Sequence, residues 1–315
     1  GDHGCEYMTG GSVVVLDVRT GEILAMTNYP SYSPTTRRQL NDLTGRNRAL
    51  TDANEPGSTM KPFVISLALE RGIVNPETVI QTAPGKLSMA GHTISDAHPH
   101  GALTVRQVIQ KSSNIGTILA AERIGGRKLY RYAKKLGIGE KTGLNFPGES
   151  AGFIPRYEDW SPTSFPTIAF GQGLSANAVQ TASVYATIAN DGVRVQPSLV
   201  KEFVLPDGTV QQPAPAKQTR VVSAATAQQV RAMLEAVVSD EGTAPMAKVD
   251  GYRIAGKTGT AQEYKESCHC YSGVVASFIG MAPADAPQLV IAVSILNPRV
   301  GRYGGELGGP VFKEV

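Results

Sequence analysis

The sequence predicts an α+β fold, on three observations. β-Branched runs open the 315-residue chain, helical periods fill its middle, and β-branched runs return at its end. Strands grouped apart from helices, rather than alternating with them, make an antiparallel sheet with helices packed on it. The first run, Ser12-Val13-Val14-Val15-Leu16-Asp17-Val18, is followed by the turn Arg19-Thr20-Gly21 and by residues 22–29, which reads as an antiparallel hairpin. The late strands are expected at 253–255, 274–281 and 289–296. The two ends should share one sheet, drawn from about 11–30 and 250–315, around an inserted, mainly helical part at about 50–240. No linker or internal repeat divides the chain, so residues 1–315 read as one domain.

The elements follow in order. Prolines at 30 and 34 close the hairpin, and a polar stretch leads to Glu55-Pro56-Gly57. A helix is expected from about Ser58 to Arg71, stopped by Gly72. Phe63, Val64, Ile65, Leu67, Ala68 and Leu69 leave it little polar face, so it should be buried on nearly all sides. Thr104-Val105-Arg106-Gln107 has capping-box form and opens another helix. Its pattern is interrupted at Lys111-Ser112-Ser113-Asn114 and resumes with Ile115, Ile118 and Leu119. Further helices are expected at about 127–136, 177–190 and 224–239.

Composition excludes some classes. The net charge of +3, from 30 basic and 27 acidic residues spread along the chain, gives no basic stripe and so no nucleic-acid binder. No stretch approaches the roughly 18 apolar residues of a membrane helix. The chain lacks a starting Met and a signal peptide, and Pro310 to Val315 stop in mid-pattern, so it reads as part of a longer protein. Three cysteines are too few for a disulfide framework.

The candidate nucleophile is Ser58. A serine hydroxyl needs a base to remove its proton. Lys61 stands three residues on, which brings the two tips together on one helical face. An amine is a base only when burial or a nearby cation lowers its pKa. The apolar helix after Lys61 offers burial, and a helix start offers backbone N–H groups to a developing oxyanion. Alone, the pair reads more readily as a capping serine beside a surface lysine, since Ser-x-x-Lys arises by chance in most chains of this length. Its weight comes from two further patterns in order, Ser112-Ser113-Asn114 and Lys257-Thr258-Gly259. Polar side chains that break an apolar helix at 112–114 are costly unless used. Two decoys are set aside: Lys141-Thr142-Gly143 falls in a loop after a helix, and Ser175-Ala176-Asn177 reads as a helix start with Ser175 as its cap.

The order S-x-x-K, S-x-N, K-T-G is that of penicillin-binding proteins and class A β-lactamases, whose second motif is S-D-N. Together with residues 11–26, Glu55 to Pro62, Thr142 to Glu149, Gly171-Gln172-Gly173 and Ala255 to Gln262, it makes the chain resemble the transpeptidase domain of class B penicillin-binding proteins. It is most similar to the cell-division, septum-forming type, with Cys268-His269-Cys270-Tyr271 suggesting an actinobacterial one. The resemblance implies the penicillin-binding/serine β-lactamase fold, no cofactor, and a peptidoglycan D,D-transpeptidase acylated by β-lactams. Ser58 would attack the D-Ala-D-Ala bond of a stem peptide and Lys61 would take its proton. Ser112 would relay a proton to the leaving amine; Asn114 would hold the peptide amide and orient Lys61. Lys257 would keep the site electropositive and help lower the Lys61 pKa. Thr258 and Thr260 would bind the substrate carboxylate beside Gly259, and the N–H groups of Ser58 and Thr260 would form the oxyanion hole. The family further implies a membrane anchor, a pedestal domain, a partner glycosyltransferase and division proteins, on the extracytoplasmic face. The family's helix before Gly11 is not evident, and the C-terminal helix that covers the sheet should be missing after Val315.

Other features weigh less. Cys268-His269-Cys270 with Cys5 lacks a structural zinc spacing; a disulfide or a free pair in a loop are the other readings, and no metal is expected. His92, His98 and His100 read as surface residues, and Trp160 and Phe165 as packing. The rival functions are a D,D-carboxypeptidase or serine β-lactamase, for which no activating carboxylate is evident, and a non-catalytic β-lactam sensor or division scaffold.

Overall fold

The structure, a computed structural model, describes residues 8–265 and 270–315. Strands β1 (Gly10–Asp17) and β2 (Ile23–Tyr29) form the expected hairpin. Its turn requires Gly21, at φ 74°, because a Cβ there would sit 2.7 Å from the Gln196 carbonyl. After the helical part come β3 (Ala255–Lys265), β4 (Cys270–Ala282) and β5 (Leu289–Leu296). All five strands make one antiparallel sheet in the order β3-β4-β5-β1-β2. The chain closes on itself where β1 pairs with β5, Val14 opposite Ala292. Arg253 and Ile254 precede β3 rather than belonging to it.

The inserted part carries α1 (Lys61–Glu70), α2 (Val105–Gln110), α3 (Asn114–Ile124), α4 (Gly126–Lys135), α5 (Ala178–Ala189) and α6 (Ala224–Val238). Every residue of α1 from Lys61 to Leu69 is buried, as its featureless apolar pattern predicts. The Phe63 ring meets Tyr185 of α5 edge to face at 5.1 Å. α1 starts later than expected. Residues 57–60 form a 3₁₀ turn, and Pro62 then occupies the first α-helical turn, where no N–H is needed.

One expectation is overturned. A helix does cover the sheet at the C-terminal end: α7, Gly304–Glu314. Gly304, Gly305, Gly308, Gly309 and Pro310 hide it from a propensity reading. The glycines are there because α7 lies almost on the backbone beneath it. A Cβ on Gly304 would fall 2.0 Å from the Ser277 carbonyl, one on Gly305 2.1 Å from the Thr243 carbonyl, and one on Gly308 2.9 Å from Phe278 Cβ. Phe278 and Phe312 then stack edge to face at 5.1 Å. On the opposite face, Ser277 and Ile279 share a small cavity with Ala178 and Thr181 of α5. Alternate residues of β4 thus face α7 and the helical part. The residues before Met8, including any helix before Gly11, lie outside the described residues.

Candidate active site

Ser58 is the second residue of the 3₁₀ turn Gly57–Met60. In such a turn residues i and i+3 eclipse, so Ser58 and Lys61 project the same way. The turn is held from three sides: Gly57 N–H donates to the Gly171 carbonyl at 2.9 Å, Thr59 Oγ1 donates to the Pro56 carbonyl at 2.8 Å, and the Tyr185 hydroxyl donates to the Thr59 carbonyl at 2.8 Å. Gly171, at φ 87°, comes so close that a Cβ would lie 2.0 Å from the Gly57 carbonyl. The Gly171-Gln172-Gly173 loop therefore backs the turn that carries Ser58. Glu55 fastens it further, its Oε1 accepting from Gly173 N–H and from the Tyr271 hydroxyl, each at 2.9 Å.

Lys61 opens α1 and reaches the link between α2 and α3. Its Nζ donates to the Ser112 carbonyl at 2.5 Å and to Ser112 Oγ at 3.2 Å. Ser112 sits at φ 58°, a left-handed conformation that a non-glycine residue holds only under constraint. That conformation aims both its oxygens at Lys61. Lys257, third residue of β3, arrives from the other side and donates to the same Ser112 Oγ at 2.9 Å. Two amines from distant segments thus share one hydroxyl.

β3 is an edge strand, and its alternation divides the third motif. Lys257 and Gly259 face the helical part. A Cβ on Gly259 would fall 2.4 Å from Ser277 Oγ, 2.8 Å from Thr59 Cγ2 and 3.1 Å from the Pro56 carbonyl, so glycine lets the turn that carries Ser58 lie flat on the strand. Thr258 and Thr260 face the α7 side. Thr258 Oγ1 bonds Thr243 Oγ1 at 2.9 Å, and Gly304 N–H at the head of α7 donates to Thr260 Oγ1 at 3.3 Å. Ser58, Lys61, Ser112, Asn114, Thr258 and Thr260 line one groove of about 680 Å³. The side chain of Asn114 does not reach Lys61 here: its Nδ2 donates to the Ser95 carbonyl at 2.9 Å.

Burial sets the electrostatics. Lys61 is 1% exposed and Lys257 fully buried. Loss of hydration brings the Lys61 amine down from 10.5 to about 7, against a smaller opposing pull from Asp96. Lys257 is pushed well below the usual lysine range, first by burial and then by Lys61. Burial, rather than Lys257, is thus the leading reason that the Lys61 amine is lowered toward neutrality.

One residue near the groove escaped the sequence reading. Asp96 lies at 9% exposure beside the Ser112 turn, and the polar, Pro/Gly-rich segment around it carries no periodic signal. His98 is exposed and His100 half-buried, in keeping with the surface reading, and the stretch of surface they occupy is the groove, which they line together with Tyr303 and Glu306 at the head of α7. The decoys behave otherwise. Thr142 lies in a loop and gives its N–H and hydroxyl to Glu149, both at 2.6 Å. In the second decoy the cap is Asn177, through a capping box with Gln180, and Ser175 instead pairs its backbone with Phe153. Trp160 packs edge to face on Tyr130 and donates to the Pro155 carbonyl at 3.0 Å; Phe165 packs against the core. Cys270 is disulfide-bonded, while Cys5, Cys268 and His269 lie outside the described residues.

A sheet closed by its own two ends, a helical block inserted in it, and three motifs meeting at the edge strand define a class: proteins of the penicillin-binding and serine β-lactamase fold. Within that class the chain belongs to the penicillin binding protein transpeptidase domain family, which it matches over residues 11–315. It is 41% identical to the penicillin-binding protein PbpB of Mycolicibacterium smegmatis over 318 residues, covering 96% of this chain and 49% of that one. It is 38% identical to the peptidoglycan D,D-transpeptidase FtsI of Escherichia coli, covering 96% and 50%. The crystal structure of penicillin binding protein 3 from Mycobacterium tuberculosis complexed with aztreonam superposes with a TM-score of 0.89 at 40% identity, covering 98% of this chain and 71% of that one. The chain therefore spans about half the length of PbpB and FtsI. The resemblance to the septal class B type agrees with these relatives, and the actinobacterial leaning with the mycobacterial ones.

Proposed function

We propose that this chain is the peptidoglycan D,D-transpeptidase domain of a longer septal cell-wall enzyme, acylated at Ser58 by stem peptides and by β-lactams. The observation that carries the reading is the convergence of Lys61 and Lys257 on Ser112 Oγ, at 3.2 and 2.9 Å, beside Ser58 in one groove. With Lys61 near neutrality, an uncharged amine is available to accept the Ser58 proton. Ser58 Oγ then bonds to the carbonyl carbon of the penultimate D-alanine. Backbone N–H groups at Ser58 and on the free edge of β3 at Thr260 steady the oxyanion. As the C–N bond breaks, the proton passes from Lys61 through Ser112 Oγ to the leaving D-alanine nitrogen. A second stem peptide's amine attacks the ester, releases Ser58 and forms the cross-link. In a β-lactam the broken C–N bond lies in the ring, so the leaving nitrogen stays tethered and the ester persists.

Thr258 and Thr260 suit the substrate's terminal carboxylate. An arriving anion also raises the proton affinity of buried Lys257 and leaves Lys61 the uncharged member of the pair. Asn114 presents a carboxamide at the groove, which can both donate to and accept from the stem peptide's backbone. The membrane anchor, pedestal, extracytoplasmic location, glycosyltransferase and division partners of the sequence reading belong to this proposal as well. A fluorescent penicillin tests it: the chain should label covalently, with a mass adduct that persists, and Ser58→Ala should not label. Normal labelling of that variant would move the nucleophile elsewhere, and rapid loss of the adduct from the parent chain would favour a hydrolase.

A further inference from the structure

Asp96 follows the short strand His92–Ser95, part of a ribbon with Lys86–Met89 that stands outside the central sheet. Nothing in its sequence context marks it, yet its carboxyl group accepts three hydrogen bonds beside the groove. Oδ1 accepts from Asn114 N–H at 2.6 Å and from Ile115 N–H at 3.1 Å. Oδ2 accepts from the Ser113 hydroxyl at 2.6 Å, and Ser113 Oγ in turn accepts from Gly116 N–H at 2.9 Å. One carboxyl group, directly and through Ser113, thus satisfies the first three N–H groups of α3, which would otherwise lack partners. Its neighbour helps: the Ser95 carbonyl takes the Asn114 side chain. The segment 95–96 therefore clamps residues 113–115 from outside, immediately after the strained Ser112.

Ser112 is the residue on which both amines converge, and its left-handed backbone persists only if its surroundings over-determine it. Bonds to the next three residues do that. The same carboxyl group carries a negative charge in a neighbourhood of two fully buried lysines. We propose that Asp96 is a positioning residue for acylation, locking the Ser112 turn against Lys61 and supplying the negative charge that tunes that amine. The inference rests on Lys61 acting as the base.

The tuning has a chemical reason. A general base works best when its proton affinity lies near the working pH. Burial alone carries Lys61 downward and Asp96 opposes it, which leaves the amine at about 7. Without that charge the amine would still be uncharged but would pull less strongly on the serine proton. The charged group acting on Lys61 is Asp96, from the ribbon side, while Lys257, from β3, is itself lowered by Lys61 and shares Ser112 Oγ with it. Lys111, Glu241, Arg302, Glu306 and the imidazoles of His98 and His100 line the same groove.

The experiment is the pH profile of penicillin acylation, measured on the whole chain as the second-order rate, which reports ionisations of the free protein. The parent should show an acid limb near pH 7, where Lys61 loses its proton. Asp96→Asn keeps an oxygen for the Asn114 and Ile115 N–H groups but removes the charge. It should move the limb to lower pH by about one unit, with a lower plateau. Asp96→Glu should return the limb to the parent position. His98→Gln with His100→Gln should leave the limb where it is, which assigns it to the amine. A limb unmoved in a folded Asp96→Asn variant would make Asp96 a helix cap only and overturn the inference, while leaving Lys61 as base. A parent profile with no limb between pH 6 and 8 would remove the base assignment itself. Should Asp96→Asn not fold, Asp96→Ser supplies another uncharged cap for the same measurement. If neither uncharged cap folds while Asp96→Glu does, the residue serves the fold and the inference fails.

Discussion

Gly259→Ala tests whether the nucleophile's position depends on a missing Cβ. The glycine is in an extended strand, so alanine meets no backbone objection and the effect is steric. The new carbon would stand 2.4 Å from Ser277 Oγ, 2.8 Å from Thr59 Cγ2 and 3.1 Å from the Pro56 carbonyl. The serine can rotate. Thr59 cannot easily do so, being 1% exposed with its hydroxyl bonded to that same Pro56 carbonyl at 2.8 Å. The whole turn from Pro56 to Met60 must therefore lift from β3, by roughly the half to one ångström that restores ordinary contact. Ser58 moves with it, away from Lys61, whose own amine stays anchored on Ser112. A displacement of that size costs on the order of 100-fold in rate, and the overpacking costs about 1–3 kcal/mol of stability. The assay is the second-order rate of labelling by fluorescent penicillin, alongside a thermal melt. A rate within threefold of the parent (a factor of about 3 being only some 0.6 kcal/mol) would show that the turn does not rest on the strand as described.

Two further outcomes follow from burial near the groove. Lys61→Met should abolish labelling yet raise the melting temperature below pH 7. The folded pKa of Lys61 lies below its unfolded value, so between about 7 and 10.5 the unfolded chain holds more protons. Stability therefore rises with pH across that window, and the penalty of the buried lysine is fully present below it. The gain from methionine, a few kcal/mol less the loss of the bond to Ser112, should be largest at pH 6 and shrink by pH 9; a gain independent of pH would contradict the burial argument. Tyr185→Phe removes the hydroxyl that donates to the Thr59 carbonyl at 2.8 Å. It should cost about 1 kcal/mol in a thermal or denaturant melt and slow labelling less than Gly259→Ala does; a slower rate than in Gly259→Ala would put the main support of the turn at Tyr185 instead of β3.

What the sequence made legible, and what it hid, divides along a physical line. Periods and turns are local, so the β1–β2 hairpin and the apolar α1 could be read directly and the loop around Lys141 set aside, whereas the strand carrying Lys257, expected at 253–255, in fact begins at Ala255 and runs on to Lys265. Spacing is local too: Ser58 and Lys61 share a face whether residues 57–60 form α-helix or 3₁₀ turn, so the wrong helix type does not change which residues stand together. Contacts made by the absence of a side chain are not local. The glycines of α7 signal a break to any propensity scale, and only the Ser277 and Thr243 carbonyls beneath them explain why a helix there must lack Cβ atoms. Asp96 is hidden for the complementary reason. A capping carboxyl group normally stands beside its helix in sequence, where the order of residues betrays it. Here it is borrowed from a ribbon 18 residues before Asn114, and Ser113, the cap that the sequence does place there, becomes the relay between them. The strained Ser112 follows from that borrowing. A turn held only by its own residues would relax, whereas one gripped from outside can keep a serine left-handed with both oxygens on an amine. The chemistry of the three motifs thus depends on a residue that belongs to none of them.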